Sequence, residues 1–203
     1  MDFQDYRGGG ATPEAGPSDG ASGSGADPRE HLVVIGNGMA GCRAVEELLA
    51  RDAGRYRVTI FGAEPHVNYN RIMLSPVLAG EKTFDEIVIN TADWYRDNNI
   101  DLIVSDPVTG IDRALIGVET FIFGQQAGMD IEHMIRSGRV VGYDRLLIAT
   151  GSDPFIIPVP GKDLPGVISF RDMKDVDTMV AAADAGGEAV VIGGVLLGLE
   201  AAH

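Results

Sequence analysis

The sequence is poor in cysteine and in basic residues. Its single thiol, Cys42, excludes an internal disulfide framework and a zinc or iron–sulfur site built from cysteines of this chain. Sixteen lysines and arginines stand against 30 acidic residues, so the net charge is −14. That balance disfavours anionic partners, and we expect neither nucleic acid nor a membrane surface to bind. A reducing, cytoplasmic location is the expectation.

Long apolar segments are also missing. No stretch approaches the ~20 apolar residues of a membrane-spanning helix, and the N-terminus lacks the basic head and apolar core of a secretory signal. Between Gly8 and Arg29, alanine is the only apolar side chain besides proline. Such a segment buries too little surface to offset its ordering entropy. We therefore predict a disordered tail over residues 1–30 and a folded part that starts near His31.

A glycine-rich turn follows the first apolar run. "HLVVI" predicts a strand buried on both faces, and "GNGMAG" after it has the spacing G-x-G-x-x-G. The next residues have helical periodicity and predict a helix from about Met39 to Arg51. In this spacing Gly36 makes the tight turn, Gly38 admits a pyrophosphate to the backbone, and Gly41 lets the helix pack on the strand. The pattern predicts a dinucleotide site at a helix N-terminus.

Two further runs extend this pattern. "RVTIF" predicts the next parallel strand, and Glu64 follows it, 23 residues after Gly41. An acid near this ~20-residue offset accepts ribose hydroxyls, which favours FAD or NAD over a 2′-phosphate. "LLIATG" predicts another buried strand that ends in Thr150-Gly151. We predict a Rossmann-like, three-layer α/β domain, with residues 32–35, 58–61 and 146–149 in one mostly parallel sheet.

A second glycine-rich turn, "AVVIGGVLLGLEAAH", begins 157 positions after the first one. Flavoproteins that bind two dinucleotides have such a pair, one turn for the flavin and one for the nicotinamide. We accordingly expect a FAD-binding domain over residues 31–170 and the opening part of an NAD(P)-binding domain over residues 171–203. A short-chain NAD dehydrogenase is disfavoured, because no tyrosine of the chain is followed four residues later by lysine.

Three stretches carry a family resemblance together with the second turn: "VVIGNGMAGCRAVEELL", "FGAEPHVNYNRIMLSPVLAG" and "YDRLLIATGSDPFIIPVPG". They resemble the N-terminal part of the NAD(P)H-dependent nitrite reductase large subunit of nitrate assimilation. More broadly, they are similar to FAD-dependent pyridine-nucleotide oxidoreductases related to rubredoxin and ferredoxin reductases. The resemblance covers roughly residues 31–104 and 140–203. It implies an enzyme that passes a hydride from NAD(P)H to flavin and on to an acceptor.

The resemblance also implies a set of cofactor-binding residues, in two glycine turns and three other positions along the chain. They are Gly36, Asn37, Gly38, Met39, Ala40, Gly41, Glu64, Arg71, Ala149, Thr150 and Gly151 for FAD, with Gly193 and Gly198 in the second turn. FAD is the implied cofactor, and NAD(P)H is the co-substrate of the family. A homo-oligomer or a partner redox subunit is expected. We assign no catalytic residue, and no metal because the four histidines lack ligand spacing.

The sequence departs from the family pattern at several points. Val195 occupies the middle glycine position of the second turn, where its branched side chain would stand in the path of the pyrophosphate. Residues 105–139 are expected not to follow the family's short β-meander, with a possible helix around Ile131–Ile135. The sequence stops at His203, early in the expected nicotinamide domain. These departures support an alternative: a non-catalytic, truncated remnant that binds a nucleotide or a partner subunit.

Three side chains outside the expected site are interpreted as structural. Cys42 has no partner cysteine and is expected to be a packed, inert thiol at the start of the helix. Trp94 and Tyr95 are expected to anchor a helix on the sheet rather than to stack on a ligand.

Overall fold

The computed structural model describes residues 27–112, 120–123, 140–186, 188–194 and 196–202 of the 203-residue chain. Its strands are β1 (Glu30–Ile35), β2 (Tyr56–Phe61), β3 (Ile100–Ile103), β4 (Gly110–Asp112), β5 (Thr120–Phe123), β6 (Val140–Tyr143) and β7 (Arg145–Ile148). Its helices are α1 (Met39–Asp52), α2 (Leu74–Leu78), α3 (Phe84–Ile87), α4 (Ala92–Asp97), α5 (Met173–Asp184) and α6 (Leu196–Ala202), with a 3-10 turn at Arg71–Met73 before α2. Most of the expected tail, residues 1–26, lies outside the described residues.

The central sheet has the strand order β3-β2-β1-β7, and every pair in it is parallel. This confirms the predicted sheet and the helical crossover through α1. The first strand begins at Glu30, one residue before the expected start. Glu30 pairs with Tyr56 in the ladder, and its carboxylate binds the guanidinium groups of Arg55 at 2.7 Å and Arg145 at 2.9 Å.

Alternate residues of the central strands point to opposite faces and build two apolar layers. On one face Val34 and Ile60 pack with Cys42 and Val45 of α1 and with Tyr95 of α4. The opposite face has its own buried set, with half-buried residues of the second sheet packed against it: Val33, Ile35, Phe61 and Ile103, with Val141 and Tyr143. The two layers give the three-layer arrangement expected from the sequence.

A second, antiparallel sheet covers that opposite face, with the order β4-β5-β6. The prediction that residues 105–139 would not follow a β-meander is therefore wrong for the described part of that segment. The apolar face of the central sheet needs a covering layer, and "TFIF" at Thr120–Phe123 is rich in residues that favour strands. The helix expected around Ile131–Ile135 lies outside the described residues.

Helix α5 packs on the region around α2. Its Met173 and Val176 are buried against Tyr69, Leu74 and Ile87. The side chain of Asp172 caps the helix by accepting a bond from the N–H of Asp175 at 3.0 Å. This packing brings the segment just before α5 next to the first glycine turn. The expected domain boundary after residue 170 stays a prediction.

The buried His31 predicts a pH dependence of stability. Its Nε2 lies 2.8 Å from Thr59 Oγ1. Burial, and after it the charge of Arg57, lowers the pKa of His31 below its ordinary value. The unfolded chain therefore binds a proton at a higher pH than the folded chain does. The stabilisation is complete above the ordinary pKa of about 6.5 and is lost as the pH falls from there towards the folded pKa.

We expect the free energy of unfolding to decrease between about pH 7 and about pH 5, and His31→Gln to flatten that slope. Urea denaturation at a series of pH values measures it. The same slope in wild type and variant would contradict the assignment.

Candidate functional site: the first glycine turn

Gly36 holds a conformation that only glycine adopts without strain. Its φ is +112°, and a Cβ built on it would lie 2.2 Å from the carbonyl oxygen of Ala149. Its N–H donates to the carbonyl of Phe61 at 2.8 Å. The first glycine therefore makes the turn possible by letting the chain from β1 pass directly under the 149–151 segment.

The other two glycines of the turn differ in their surroundings. Gly38 is the N-cap of α1 in an extended conformation (φ −101°, ψ 176°), and a Cβ built on it meets nothing within 4 Å. At Gly41 a Cβ would lie 2.8 Å from the carbonyl oxygen of Gly36 and 3.1 Å from Ala149 Cβ. Gly41 thus allows α1 to pack on the turn, whereas Gly38 leaves open space before a helix N-terminus. The open space and the backbone N–H groups at the N-terminus of α1 fit a pyrophosphate.

The 149–151 segment joins the turn as the sequence predicted. The N–H of Ala149 donates to the carbonyl of Ile35 at 2.8 Å, and Gly151 has a φ of +76°. Sequence reasoning missed Arg171, whose guanidinium would lie 3.6 Å from a Cβ at Gly151 and donates to Ser152 Oγ at 3.2 Å. No motif marks this arginine, because it comes to the site only through the packing of α5.

Glu64 and Arg71, both predicted for the site, form an ion pair. The second carboxylate oxygen of Glu64 accepts a bond from the Tyr69 hydroxyl at 2.6 Å. Burial, followed by that bond to Glu64, raises the pKa of Tyr69, so the phenol stays a donor. Arg71 also lies over the Tyr69 ring, 5.4 Å from its centroid, and donates to the carbonyl of Arg171 at 3.2 Å. Each oxygen of Glu64 keeps a free lone pair for a ribose hydroxyl.

Asn37 turns its side chain into the protein. Its Oδ1 accepts a bond from the Tyr95 hydroxyl at 2.7 Å, and its Nδ2 donates to the carbonyl of His66 at 3.1 Å. Both polar atoms of the Asn37 side chain are thus bonded within the protein. Tyr95 is 2% exposed, which confirms its expected role as an anchor of α4 on the sheet. Cys42 is fully buried and burial raises its pKa, in agreement with an inert thiol.

The second glycine turn repeats the backbone relation of the first one. Gly193 has a φ of +136°, and a Cβ at Gly198 would lie 2.0 Å from the carbonyl oxygen of Gly193. The apolar run before it is different, because Val190 and Ile192 are 86% and 76% exposed, and the described residues 188–194 form no strand. Val195 lies outside the described residues.

A side-chain contact connects the helix after the second glycine turn to α2. Ser75 Oγ in α2 donates to Glu200 Oε2 in α6 at 2.7 Å. Sequence reasoning did not assign a role to either residue. The contact places α6, the helix that follows the second glycine turn, beside α2.

Comparison with known proteins agrees with this geometry. Residues 30–203 match the family described as pyridine nucleotide-disulphide oxidoreductase. The chain belongs to this family. Within it, the chain is 48% identical over 175 residues to the NAD(P)H nitrite reductase of Bacillus subtilis (strain 168), covering 86% of this chain and 20% of that protein. It is 42% identical over 174 residues to the assimilatory nitrate reductase electron transfer subunit of the same organism, covering 86% and 21%.

Solved structures of this oxidoreductase family share the fold. The NADH:rubredoxin oxidoreductase of Clostridium acetobutylicum superposes with a TM-score of 0.69 at 29% identity, over 86% of this chain and 41% of that one. The putidaredoxin reductase in its covalent complex with putidaredoxin superposes with a TM-score of 0.66 at 28% identity, over 85% and 39%. The chain spans about a fifth of the length of the curated relatives described above.

Two further features were sought in the described part of the chain. Its histidine, cysteine and acidic side chains form no group of three or more that could hold a metal ion. None of its helices is long and apolar enough to cross a membrane.

Proposed function

We propose that this chain is the FAD-binding portion of an NAD(P)H-dependent flavin oxidoreductase that resembles the nitrite reductase large subunit. The observation that carries the proposal is the first glycine turn. Neighbouring backbone leaves no room for a Cβ at Gly36 or Gly41, whereas the space at Gly38 is open. FAD, when bound, supplies the chemistry of accepting a hydride and delivering electrons to an acceptor. The protein supplies binding, orientation and electrostatics.

Each part of the site has a separate role in this proposal. The backbone N–H groups at the start of α1, around Gly38, bind the pyrophosphate. Glu64 accepts bonds from ribose hydroxyls, and its ion pair with Arg71 orients that carboxylate. The 149–151 segment lies against the first glycine, where the adenosine half of FAD passes in this proposal. A redox partner subunit and a cytoplasmic location complete the proposal, the second on the basis of the single cysteine.

Titration of the 203-residue chain with flavins and their fragments tests the proposal. We expect FAD fluorescence to be quenched on binding, and ADP-ribose to compete because it carries the ribose and pyrophosphate. FMN, which lacks the adenosine half, should not compete. Absence of FAD binding, or equal competition by FMN and ADP-ribose, would overturn the assignment of this turn to FAD.

Replacing Glu64 tests the ribose contact. Glu64→Ala removes charge-assisted hydrogen bonds worth about 1.5–3 kcal/mol each, so we expect FAD to bind about 10- to 100-fold more weakly. Isothermal titration of FAD measures the change. Glu47→Ala, on the exposed side of α1 and paired with Arg43, is the matched control and should bind like wild type. Tyr69→Phe removes the second partner of Glu64 and reports how much of the effect depends on the orientation of the carboxylate.

The alternative function, a nucleotide- or partner-binding remnant without turnover, is favoured by the second turn. Its apolar run has Val190 and Ile192 largely exposed and unpaired with any described strand. FAD binding without reduction by NAD(P)H would support this alternative. The same measurement decides between the two functions.

A further inference from the structure

A buried hydrogen-bond cluster joins helix α4 to the first glycine turn. Asn37, between the first two glycines, receives the Tyr95 hydroxyl on Oδ1 at 2.7 Å and the Cys42 thiol at 3.2 Å. Its Nδ2 donates to the carbonyl of His66 at 3.1 Å, which fixes the amide orientation. The Asn37 Cβ is also only 3.0 Å from where a Cβ of Gly62 would stand. The side chain is thus held from several directions.

Tyr95 is placed to keep this cluster in one arrangement. Its ring is in the core, edge-on to Trp94 with centroids 4.9 Å apart, and its hydroxyl accepts the backbone N–H of Asn68 at 3.3 Å. That N–H is a donor, and Asn37 Oδ1 at 2.7 Å is a nearer acceptor than the Cys42 sulfur at 3.4 Å, so the hydroxyl proton is directed to Asn37. Burial, and after it the contact with Cys42, raises the pKa of Tyr95, so the hydroxyl remains protonated across the physiological range.

We propose that Tyr95 is a positioning residue for the cofactor: acting through Asn37, it holds the Gly36–Gly41 turn in the conformation that binds the FAD pyrophosphate. The inference rests on the proposed FAD function. A phosphate site built from backbone N–H groups binds tightly only when those groups are already oriented, because ordering them on binding costs free energy. Asn37 is the only residue between Gly36 and Gly38, so its anchored side chain limits the motion of both peptide units that flank it.

The test uses Tyr95→Phe and Asn37→Ala in the 203-residue chain, alone and together. Phenylalanine keeps the ring in the core and removes only the hydroxyl. We expect each single variant to weaken FAD binding about three- to tenfold, the effect of one lost hydrogen bond. The double variant should bind no more weakly than the weaker single variant, because both changes break the same connection. Tyr56→Phe, at the amino end of β2 where it pairs with Glu30, is the matched control and should bind like wild type.

A second readout separates positioning from a loss of general stability. Tyr95→Phe also leaves the Asn68 N–H unpaired, so a lower melting temperature is expected whether or not Tyr95 positions the turn. Amide exchange in the FAD-free chain does decide, at the N–H of Gly36, bonded to Phe61, and of Cys42, bonded to the carbonyl of Gly38. Both should exchange severalfold faster in Tyr95→Phe and in Asn37→Ala. The exchange rates of the β2 amides should keep the same rank order as in wild type.

The outcomes are distinguishable. Unchanged FAD affinity in Tyr95→Phe, or losses that add in the double variant, would overturn the inference while leaving FAD binding intact. A wild-type chain that binds no FAD would overturn the proposed function, and with it the role of Tyr95 towards FAD. In that case faster exchange at Gly36 and Cys42 would still assign Tyr95 to the turn, and unchanged exchange would refute that as well.

Discussion

Gly38→Val should abolish FAD binding while leaving the fold intact. The backbone at Gly38 is extended, a conformation that valine adopts readily, and a Cβ there meets no protein atom within 4 Å. A Cβ therefore meets no steric resistance from the protein, and the poorer capping by valine at this N-cap costs only about 1 kcal/mol. The branched side chain would instead occupy the space into which the pyrophosphate must come, in front of the α1 N-terminus. We expect FAD affinity to fall below detection and the melting temperature to stay within a few degrees of wild type.

Two other glycine variants are the controls for this experiment. Gly54→Val, in the turn after α1, brings a Cβ to an ordinary 3.6 Å from Asp52 Oδ1 and should affect neither binding nor stability greatly. Gly36→Ala forces a side chain into a φ of +112° and to within 2.2 Å of a backbone oxygen, so it should destabilise the fold itself. Fluorescence titration and thermal unfolding on all three variants separate the effects. Normal FAD binding by Gly38→Val would refute the site.

The parallel sheet and the first turn could be predicted because local residues determine them. "HLVVI" and "RVTIF" are continuous apolar, β-branched runs, and such runs favour strands buried on both faces. The glycine spacing determines where α1 begins, since Gly36 must turn the chain and Gly41 must admit the helix. Strand, turn and helix are therefore contained in about 30 consecutive residues, and no distant contact is needed to specify them.

The parts that could not be predicted depend on contacts distant in sequence. Arg171 lies beside Gly151 only because α5 packs against Tyr69 and Leu74, and nothing in its own neighbourhood indicates this. The Tyr95–Asn37 bond joins residues 58 positions apart on different elements. Tyr95 was correctly interpreted as an anchor in the core, but its hydroxyl carries a second contact that an apolar pattern cannot reveal. The β-meander was missed because its strands are short and their pairing is set by the sheet they cover.

The second turn shows why a local motif is not sufficient for a site. Its glycines repeat the geometry of Gly36 and Gly41, with Gly193 at a φ of +136° and Gly198 against the Gly193 carbonyl. In the first turn, however, β1 is held by hydrogen-bonded strands on both sides. The corresponding run around Val190 and Ile192 is exposed and pairs with no described strand. The second turn therefore lacks the strand support that the first turn has, and Glu200 in the helix after it is bonded to Ser75 of α2.

We therefore expect that neither NADH nor NADPH reduces bound FAD in the 203-residue chain, whereas dithionite does. Two independent causes act here. Val195 would fill the space that the phosphates need. The apolar run before the second turn is the other cause, because Val190 and Ile192 are exposed and pair with no described strand, so the turn lacks the support that β1 gives the first turn. Anaerobic mixing with each nucleotide, while flavin absorbance is followed, measures the reaction. Rapid bleaching by either nucleotide would contradict the expectation and favour a working oxidoreductase over the remnant.

Val195→Gly distinguishes the two causes in the same experiment. If the branched side chain alone blocks the phosphates, the glycine variant should bleach with NADH or NADPH while wild type does not. If the unpaired run at 189–192 is the cause, Val195→Gly should remain as slow as wild type, because removing a side chain does not supply a neighbouring strand. The second result is the one we expect from the exposure of Val190 and Ile192. Reduction would then require a neighbouring strand that pairs with this run, and a longer chain carrying Val195→Gly should bleach where the 203-residue variant does not.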